Sequence, residues 1–127
     1  MEKPPTSVLE IPAQLFSALG HPVRLAILEV LRGGEACVCH IQAVLDLRQA
    51  YASQHLNVLR QAELVTSRKD GTRVYYQLKS PDFMEVIDMA KNQLIAQERL
   101  FPQDFSEIAK LSHPECKCPQ CADDRLC

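Results

Sequence analysis

The sequence lacks any hydrophobic run long enough to cross a membrane, and it is poor in glycine. No apolar stretch reaches the roughly 18 residues of a membrane span, and the N-terminal residues MEKPPTSVLEIP contain no signal-peptide h-region. We therefore expect a cytoplasmic protein without a membrane partner. With four glycines in all, the chain has no glycine-rich phosphate loop, and no Ser/Cys–His–Asp arrangement stands at a recognisable spacing. We do not expect an enzyme.

Composition indicates one soluble domain whose charge is unevenly distributed. The 127 residues are 46% hydrophobic and 24% charged, with a net charge of −2. That net charge alone argues against a nucleic-acid partner. Residues 48–79, however, carry six basic against two acidic side chains, whereas residues 80–127 carry five against nine. A basic middle beside an acidic C-terminal part fits a patch that meets phosphate.

Apolar spacing predicts a helical N-terminal half. Residues 1–10 contain two prolines and no periodicity, so we expect a flexible arm. A first helix follows from residue 11 and ends at Gly20. The second, over residues 23–32, is apolar almost all round, which is typical of a central, buried helix. Two of its charged residues, Arg24 and Glu29, are expected at its solvent-exposed edge.

The segment 35–60 predicts two short helices joined by a tight turn. In the later one, Gln49–Gln61, Ala52, Leu56 and Leu59 form one apolar stripe. The opposite face carries amides and a hydroxyl where Glu and Lys would be usual, and such groups pair with base edges and phosphates. We interpret this helix as a DNA-recognition helix, the alternative being an ordinary surface helix. Its candidate DNA-binding residues are Gln49, Ser53, Gln54, Asn57 and Arg60.

A β-hairpin is predicted directly after the recognition helix. Two alternating runs, 64–68 and 73–78, flank an Asp-Gly pair, which is a strong hairpin signal. The hairpin is basic, since its tip and flanks carry Arg68, Lys69 and Arg73, and the last two are its candidate DNA-binding residues. A basic hairpin can serve solubility alone, but after a recognition helix it is more typical of a wing that lies along phosphate or in the minor groove.

A long amphipathic helix is predicted to begin at Pro81. Its apolar residues, from Phe83 through Leu94 toward Phe101, recur every three or four positions and exceed what this small core can cover. We therefore expect a partner subunit to cover them, with help from the first helix. Residues 102–127 are predicted to form one more short helix and a cysteine-rich tail.

Six cysteines in a cytoplasmic chain favour metal ligands or redox groups over structural disulfides. Cys37 and Cys39 are predicted to lie on the third helix, partly exposed because Val38 between them points inward. The alternative is two buried, apolar cysteines. The tail adds Cys116, Cys118 and Cys121, with Cys127 at the end.

Four segments in this order resemble the ArsR/SmtB family of winged-helix repressors: LGHPVRLAIL at 19–28, EACVC at 35–39, SQHLNVL at 53–59 and GTRVYY at 71–76. The resemblance covers about residues 11–101. It implies a mainly α fold with a β-hairpin wing (α+β), a winged helix-turn-helix, and a homodimer that binds an inverted-repeat operator and is released by an inducer. His55, inside the third segment, is either a packed structural histidine or a DNA contact.

The resemblance also implies that Cys37 and Cys39 bind a soft ion such as arsenite, antimonite, cadmium or lead, which thiolates select. The sequence departs from the family's patterns, since Gln42 stands where one subgroup has a third cysteine and the N-terminal arm has none. Residues 82–110 contain no histidine, so the family's zinc or nickel site is not expected.

The remaining ligands have several candidate sources. Cys116, Cys118 and Cys121 are candidates, and His40 is a less favoured one; alternatively the tail forms its own site or is merely reactive. The leading hypothesis is a metalloid- or metal-released repressor with no organic cofactor. The alternatives are a thiol-redox or persulfide-responsive repressor, and a DNA-binding regulator with a structural zinc in the tail.

Overall fold

Helices surround a small three-stranded sheet in the computed structural model, which describes residues 5–112. The α-helices are α1 (Glu10–Leu19), α2 (Pro22–Arg32), α3 (Val38–Leu45), α4 (Gln49–Gln61), α5 (Met84–Ala96) and α6 (Pro102–Ala109), the strands are β1 (Ala36–Cys37), β2 (Val65–Asp70) and β3 (Arg73–Leu78), and short 3₁₀ turns cover Pro5–Leu9, Pro81–Phe83 and Lys110–Ser112. No helix among the described residues is both long and apolar enough to span a membrane.

Helix α2 is the centre of the core, as its all-round apolar sequence predicts. Ile27, Leu28 and Leu31 are at most 2% exposed, and they pack with buried side chains of α3, α4 and β2. His21 caps the N-terminus of α2, since its Nδ1 accepts a hydrogen bond from the Val23 backbone N–H at 3.1 Å. Pro22 occupies the first helical position, where its missing N–H costs nothing.

The prediction that Glu29 lies at the solvent-exposed edge of α2 is wrong. Glu29 is 5% exposed and its carboxylate accepts hydrogen bonds from the Arg32 guanidinium at 2.8 and 3.1 Å. It also pairs with the Lys91 ammonium of α5, and Arg32 in turn binds Asp88 at 2.8 Å. Burial is tolerated because the charge is paired and hydrogen-bonded.

Helices α3 and α4 form the helix-turn-helix. Asp46 ends α3 in the left-handed conformation (φ 54°, ψ 54°), and Leu47 donates back to the Gln42 carbonyl. The reversal lets α4 start at Gln49 and end at Gln61, as predicted. Ala52, Leu56 and Leu59 are fully buried, which confirms the apolar stripe.

The sheet has the order β1-β3-β2, with every pair antiparallel. The hairpin β2–β3 was predicted, but its loop is Gly71-Thr72 rather than Asp-Gly, since Asp70 pairs with Arg73. Gly71 takes φ 62°, a left-handed value at the first loop position that favours glycine. Strand β1 was not predicted, and its Ala36 and Cys37 pair with Tyr76 and Tyr75.

Both ends of the described chain differ in detail from the predicted boundaries. Helical structure starts at Pro5 rather than at residue 11, because a 3₁₀ turn leads directly into α1. The helix predicted from Pro81 is interrupted after Ala96, where Glu98 adopts φ 57°, and α6 then begins at Pro102. The predicted short helix in this region is thus observed. The cysteine-rich tail lies outside the described residues.

Candidate nucleic-acid interface and thiol site

The outer face of α4 presents the predicted DNA-reading side chains to solvent. Gln49, Ser53, Gln54 and Asn57 are all exposed, opposite the buried stripe. Arg60 donates to Asn57 Oδ1 at 2.8 Å, which fixes the amide with its NH₂ group pointing away from the guanidinium. A face of amides and a hydroxyl held on a rigid helix can form hydrogen bonds with base edges.

The wing carries cations whose roles differ. Lys69 is exposed and Arg73 is half-buried, and the Arg73 Nη1 lies 3.3 Å from the Tyr75 hydroxyl. Arg68 instead forms a bidentate pair with Glu35, at 2.8 and 2.6 Å, and its guanidinium lies 4.5 Å from the centre of the Tyr75 ring. The hydrogen bond from Arg68 holds the pKa of Glu35 below its ordinary value. Arg68 thus attaches the wing to the segment before β1.

Cys37 and Cys39 do not both lie on the third helix, contrary to the prediction. Cys37 is the last residue of β1 and the N-cap of α3, where its Sγ accepts a hydrogen bond from the His40 backbone N–H at 3.4 Å. It is 6% exposed, so the expected partial exposure holds only for the half-buried Cys39, in the first turn of α3. The pair therefore spans a strand-to-helix junction.

A cavity of about 420 Å³ lies between this junction, α4 and the wing. We call it the thiol pocket. Residues of β1, α3, the start of α4 and the hairpin line it. Its lining residues are Cys37, Val38, Cys39, Gln42, Gln49, Ser53, Thr72, Arg73, Val74 and Tyr76. Gln42, Thr72 and Tyr76 were not predicted as site residues, because no local pattern brings these three segments together.

Within residues 5–112, no cluster of three or more His, Cys, Asp or Glu side chains is arranged to hold a metal ion. Cys37 and Cys39 thus offer two sulfur ligands. His40 follows them on α3, and burial lowers the pKa of its imidazole, which favours the neutral form that binds metals. The predicted tail ligands, Cys116, Cys118 and Cys121, lie outside the described residues.

His55 lies on the packing side of α4 rather than on its outer face. It is 8% exposed, its ring centre lies 4.3 Å from that of His21, and Tyr51 contacts it edge-on at 4.5 Å. Its Nε2 and the nearby Arg24 Nε are buried without a hydrogen-bond partner among the described residues. Burial, followed by the charges of His21 and Arg24, lowers the pKa of His55. The structural alternative for His55 is therefore favoured.

Helices α1 and α5 expose apolar side chains. Ile11 and Phe16 of α1, and Val86 and Met89 of α5, are 39–76% exposed. An apolar groove of about 460 Å³ runs between α1, α2, α5 and α6, with Phe16 and Val86 among its lining residues. Exposed apolar side chains that adjoin such a groove are typical of an interface between subunits.

Comparison with known proteins agrees with this geometry. The sequence profile described as "Bacterial regulatory protein, arsR family" matches residues 21–67, which run from the cap of α2 into the first strand of the wing. An uncharacterised HTH-type transcriptional regulator of Methanocaldococcus jannaschii is 40% identical over 61% of this chain and 88% of its own length. The chain belongs to the arsR family. Residues 21–67 include helix α4 and both described cysteines.

Two further proteins match over most of their length. The biofilm growth-associated repressor of Agrobacterium fabrum is 38% identical over 69% of this chain and 72% of its own. A solution NMR structure of a homodimeric winged helix-turn-helix DNA-binding domain from Mycobacterium bovis superposes with a TM-score of 0.64 at 30% identity, covering 77% of this chain and 89% of that one. The winged helix-turn-helix fold is thus confirmed.

Proposed function

We propose that this chain is a homodimeric transcriptional repressor of the cytoplasm that binds an inverted-repeat operator and releases it when Cys37 and Cys39 bind a soft metal or metalloid ion. The observation that carries the proposal is the position of Cys37, which belongs to the wing sheet and also caps α3. An ion that draws Cys37 toward Cys39 acts on both elements that would meet DNA. Differential affinity of the ion for the free and DNA-bound forms then sets the coupling.

The DNA-binding roles divide by chemistry. Ser53, Gln54 and Asn57 read base edges in the major groove, with Gln49 at the start of the helix beside them. Arg60 binds phosphate and orients Asn57, whose Oδ1 it contacts at 2.8 Å. The two wing cations, Lys69 and Arg73, lie along the phosphate backbone. Arg73 is half-buried and the other six are exposed, and Gln49, Ser53 and Arg73 line one cavity between α4 and the hairpin.

Dimerisation follows from the exposed apolar side chains of α1 and α5. Covering Phe16, Val86 and Met89, which are 59%, 39% and 68% exposed, removes apolar surface from water, which stabilises association. A two-fold dimer places two copies of α4 on successive major grooves, and such symmetry requires an inverted-repeat operator.

The soft-ion proposal fits the donors that the structure describes. Cys37 and the half-buried Cys39 border the same pocket. Thiolates bind soft ions such as arsenite, antimonite, cadmium and lead in preference to hard cations. Cys37 and Cys39 would hold the ion, and bonds from both sulfur atoms to one ion would draw the end of β1 toward the first turn of α3. Cys116, Cys118 and Cys121 are proposed as additional ligands, and no organic cofactor is needed.

A second candidate is a repressor released by thiol oxidation or persulfidation. The favouring observation is that residues 5–112 hold no cluster of three or more candidate metal ligands, whereas oxidation needs only one accessible thiol. A third, a structural zinc in the tail, predicts that a chelator alters the tail while operator affinity stays unchanged.

The test is fluorescence anisotropy of the reduced, metal-free protein on an inverted-repeat duplex from its own promoter. Arsenite, antimonite, cadmium, lead and zinc are titrated in turn, with Cys37→Ser/Cys39→Ser and a truncation before Cys116 in parallel. Release by a soft ion that the double variant resists supports the proposal, and the truncation shows whether the tail supplies ligands. If only disulfides or polysulfides release the duplex, the redox candidate replaces it.

A further inference from the structure

The thiol pocket shares its walls with the proposed DNA interface. Gln49 and Ser53 of α4 and Arg73 of the wing line the pocket, and the same three side chains are proposed to contact DNA. The two cysteines line the same pocket from the β1–α3 junction. A group bound to a thiol inside this pocket would therefore occupy the space and the side chains that DNA binding needs.

The pocket is larger than a bare ion requires. A metal ion lies about 2.3 Å from a sulfur ligand, whereas a cavity of about 420 Å³ has room for on the order of ten water-sized groups. The space beyond the thiols extends to α4 and the hairpin. The pocket is therefore suited to a thiol-bound group of several non-hydrogen atoms.

The charge of the pocket favours an anion. Among the ten described lining residues, Arg73 is the one that carries a formal charge, and the rest are polar or apolar. Cys39 lies in the first turn of α3, where the backbone N–H groups and the helix dipole also favour negative charge. Arg73 and the first residues of α3 thus line the same cavity.

Of the two thiols, Cys39 is the one placed to react. Cys37 is 6% exposed and its Sγ accepts the capping hydrogen bond from the His40 N–H. Cys39 is half-buried and borders the pocket.

We propose that the thiol pocket takes a small acidic disulfide, which reacts with Cys39, and that the anionic group left on Cys39 displaces DNA by pairing with Arg73. The Cys39 thiolate attacks one sulfur of R–S–S–R. A Cys39–S–S–R bond forms as the original S–S bond breaks, and RS⁻ leaves with the electron pair and takes up a proton. Cys39 is oxidised and half of the reagent is reduced. The inference rests on the proposed function, since it makes this junction the sensor of a DNA-binding regulator.

The test compares disulfides of similar size and different charge. Dithiodiglycolate is anionic, 2-hydroxyethyl disulfide neutral and cystamine cationic. The full-length chain carries serine at the four tail positions, so that only the junction thiols report; these positions are Cys116, Cys118, Cys121 and Cys127. The rate at which each reagent modifies the protein is followed by intact-protein mass spectrometry. Each rate is divided by the rate at which the same reagent modifies the model thiol N-acetylcysteinamide, which corrects for the reagent's intrinsic reactivity. We expect the normalised modification rate with the anionic reagent to exceed that with the cationic reagent by about five- to tenfold, which is the size of effect that a partly exposed charge pair allows.

Matched variants locate the effect. Cys39→Ser should abolish modification, whereas Cys37→Ser should retain it. Arg73→Gln should remove the charge preference, and Arg73→Lys should keep most of it. Lys69→Gln makes the same charge change on the wing outside the pocket and should leave the preference intact. Circular dichroism confirms that each variant is folded.

DNA binding supplies the second measurement. Saturating promoter duplex should slow modification by all three reagents at least tenfold. Protein that carries the mixed disulfide of Cys39 with thioglycolate should bind the duplex at least tenfold more weakly than protein that carries the mixed disulfide with 2-mercaptoethanol. Equal normalised rates, or undiminished modification in the presence of DNA, would overturn the inference. If soft ions nevertheless release DNA through Cys37 and Cys39, the proposed function stands and only the acidic-disulfide inference fails.

Discussion

The buried carboxylate of Glu29 should be a major contributor to the stability of this domain. It accepts hydrogen bonds from Arg32 and Lys91, and it joins central helix α2 to α5. Removing one partner of a fully buried pair costs about 3–5 kcal/mol, because the other charge is left without compensation. Here Arg32 and Lys91 keep Asp88 at 2.8 and 3.7 Å, and both side chains reach solvent. We therefore expect Glu29→Gln to lower the free energy of unfolding by about 2 kcal/mol.

The assay is urea denaturation followed by circular dichroism at one fixed protomer concentration, since a dimer's stability depends on concentration. Glu85→Gln is the matched control, because this α5 carboxylate is exposed, and its loss should stay within about 0.5 kcal/mol. The double variant Glu29→Gln/Lys91→Met should recover part of the loss, because it no longer leaves a partly buried ammonium without its carboxylate. A Glu29→Gln effect no larger than that of Glu85→Gln would refute the reasoning.

The pairing of Glu29 with Arg32 and Lys91 also predicts how the stability of the domain depends on pH. Burial alone would raise the pKa of Glu29, but the hydrogen bonds from Arg32 and Lys91 and their charges hold it below the ordinary value of 4.5. The carboxylate's contribution is thus present above pH 4.5 and is lost as the pH falls through the lowered pKa. The stability difference between wild type and Glu29→Gln should therefore shrink as the pH falls below 4.5.

Three further predictions concern the outer face of α4, the contact between His55 of α4 and His21 at the start of α2, and the wing. Asn57→Ala should relax base preference at one position of each half-site by about 1–3 kcal/mol, whereas Lys69→Gln should weaken all duplexes alike and lower the salt slope of a dimer by about two; anisotropy at several salt concentrations separates the two. Because burial lowers the pKa of His55, wild type should lose stability as the pH falls from 6.5 toward that lowered pKa, and His55→Gln should lose less over that range in urea titrations. Gly71, at φ 62°, should tolerate Asn, whereas Gly71→Val should cost about 1 kcal/mol or more and weaken DNA binding through the wing.

The local sequence was sufficient to locate α4 and the β2–β3 hairpin, the two elements proposed to contact DNA. The spacing of Ala52, Leu56 and Leu59 located α4, and all three are fully buried. Alternation on either side of the glycine turn located the hairpin. These predictions succeed because helix and strand periodicities depend on neighbours a few positions away. The outward-facing amides follow directly from the same periodicity.

Only the tertiary structure shows which partners the charged side chains have and where Cys37 lies. Glu29 is buried in a pair with Lys91, which lies 62 positions later in the chain. The helical periodicity of α2 carries no information about a partner so far away. Arg68 counts as one more basic residue in the sequence, yet Glu35, 33 positions earlier, pairs with it. Strand β1 is two residues long, too short to show alternation, so pairing with β3 was needed to place Cys37 in the wing sheet. The connection of Cys37 to both the wing sheet and α3 is therefore a property of long-range packing, which the order of residues does not display.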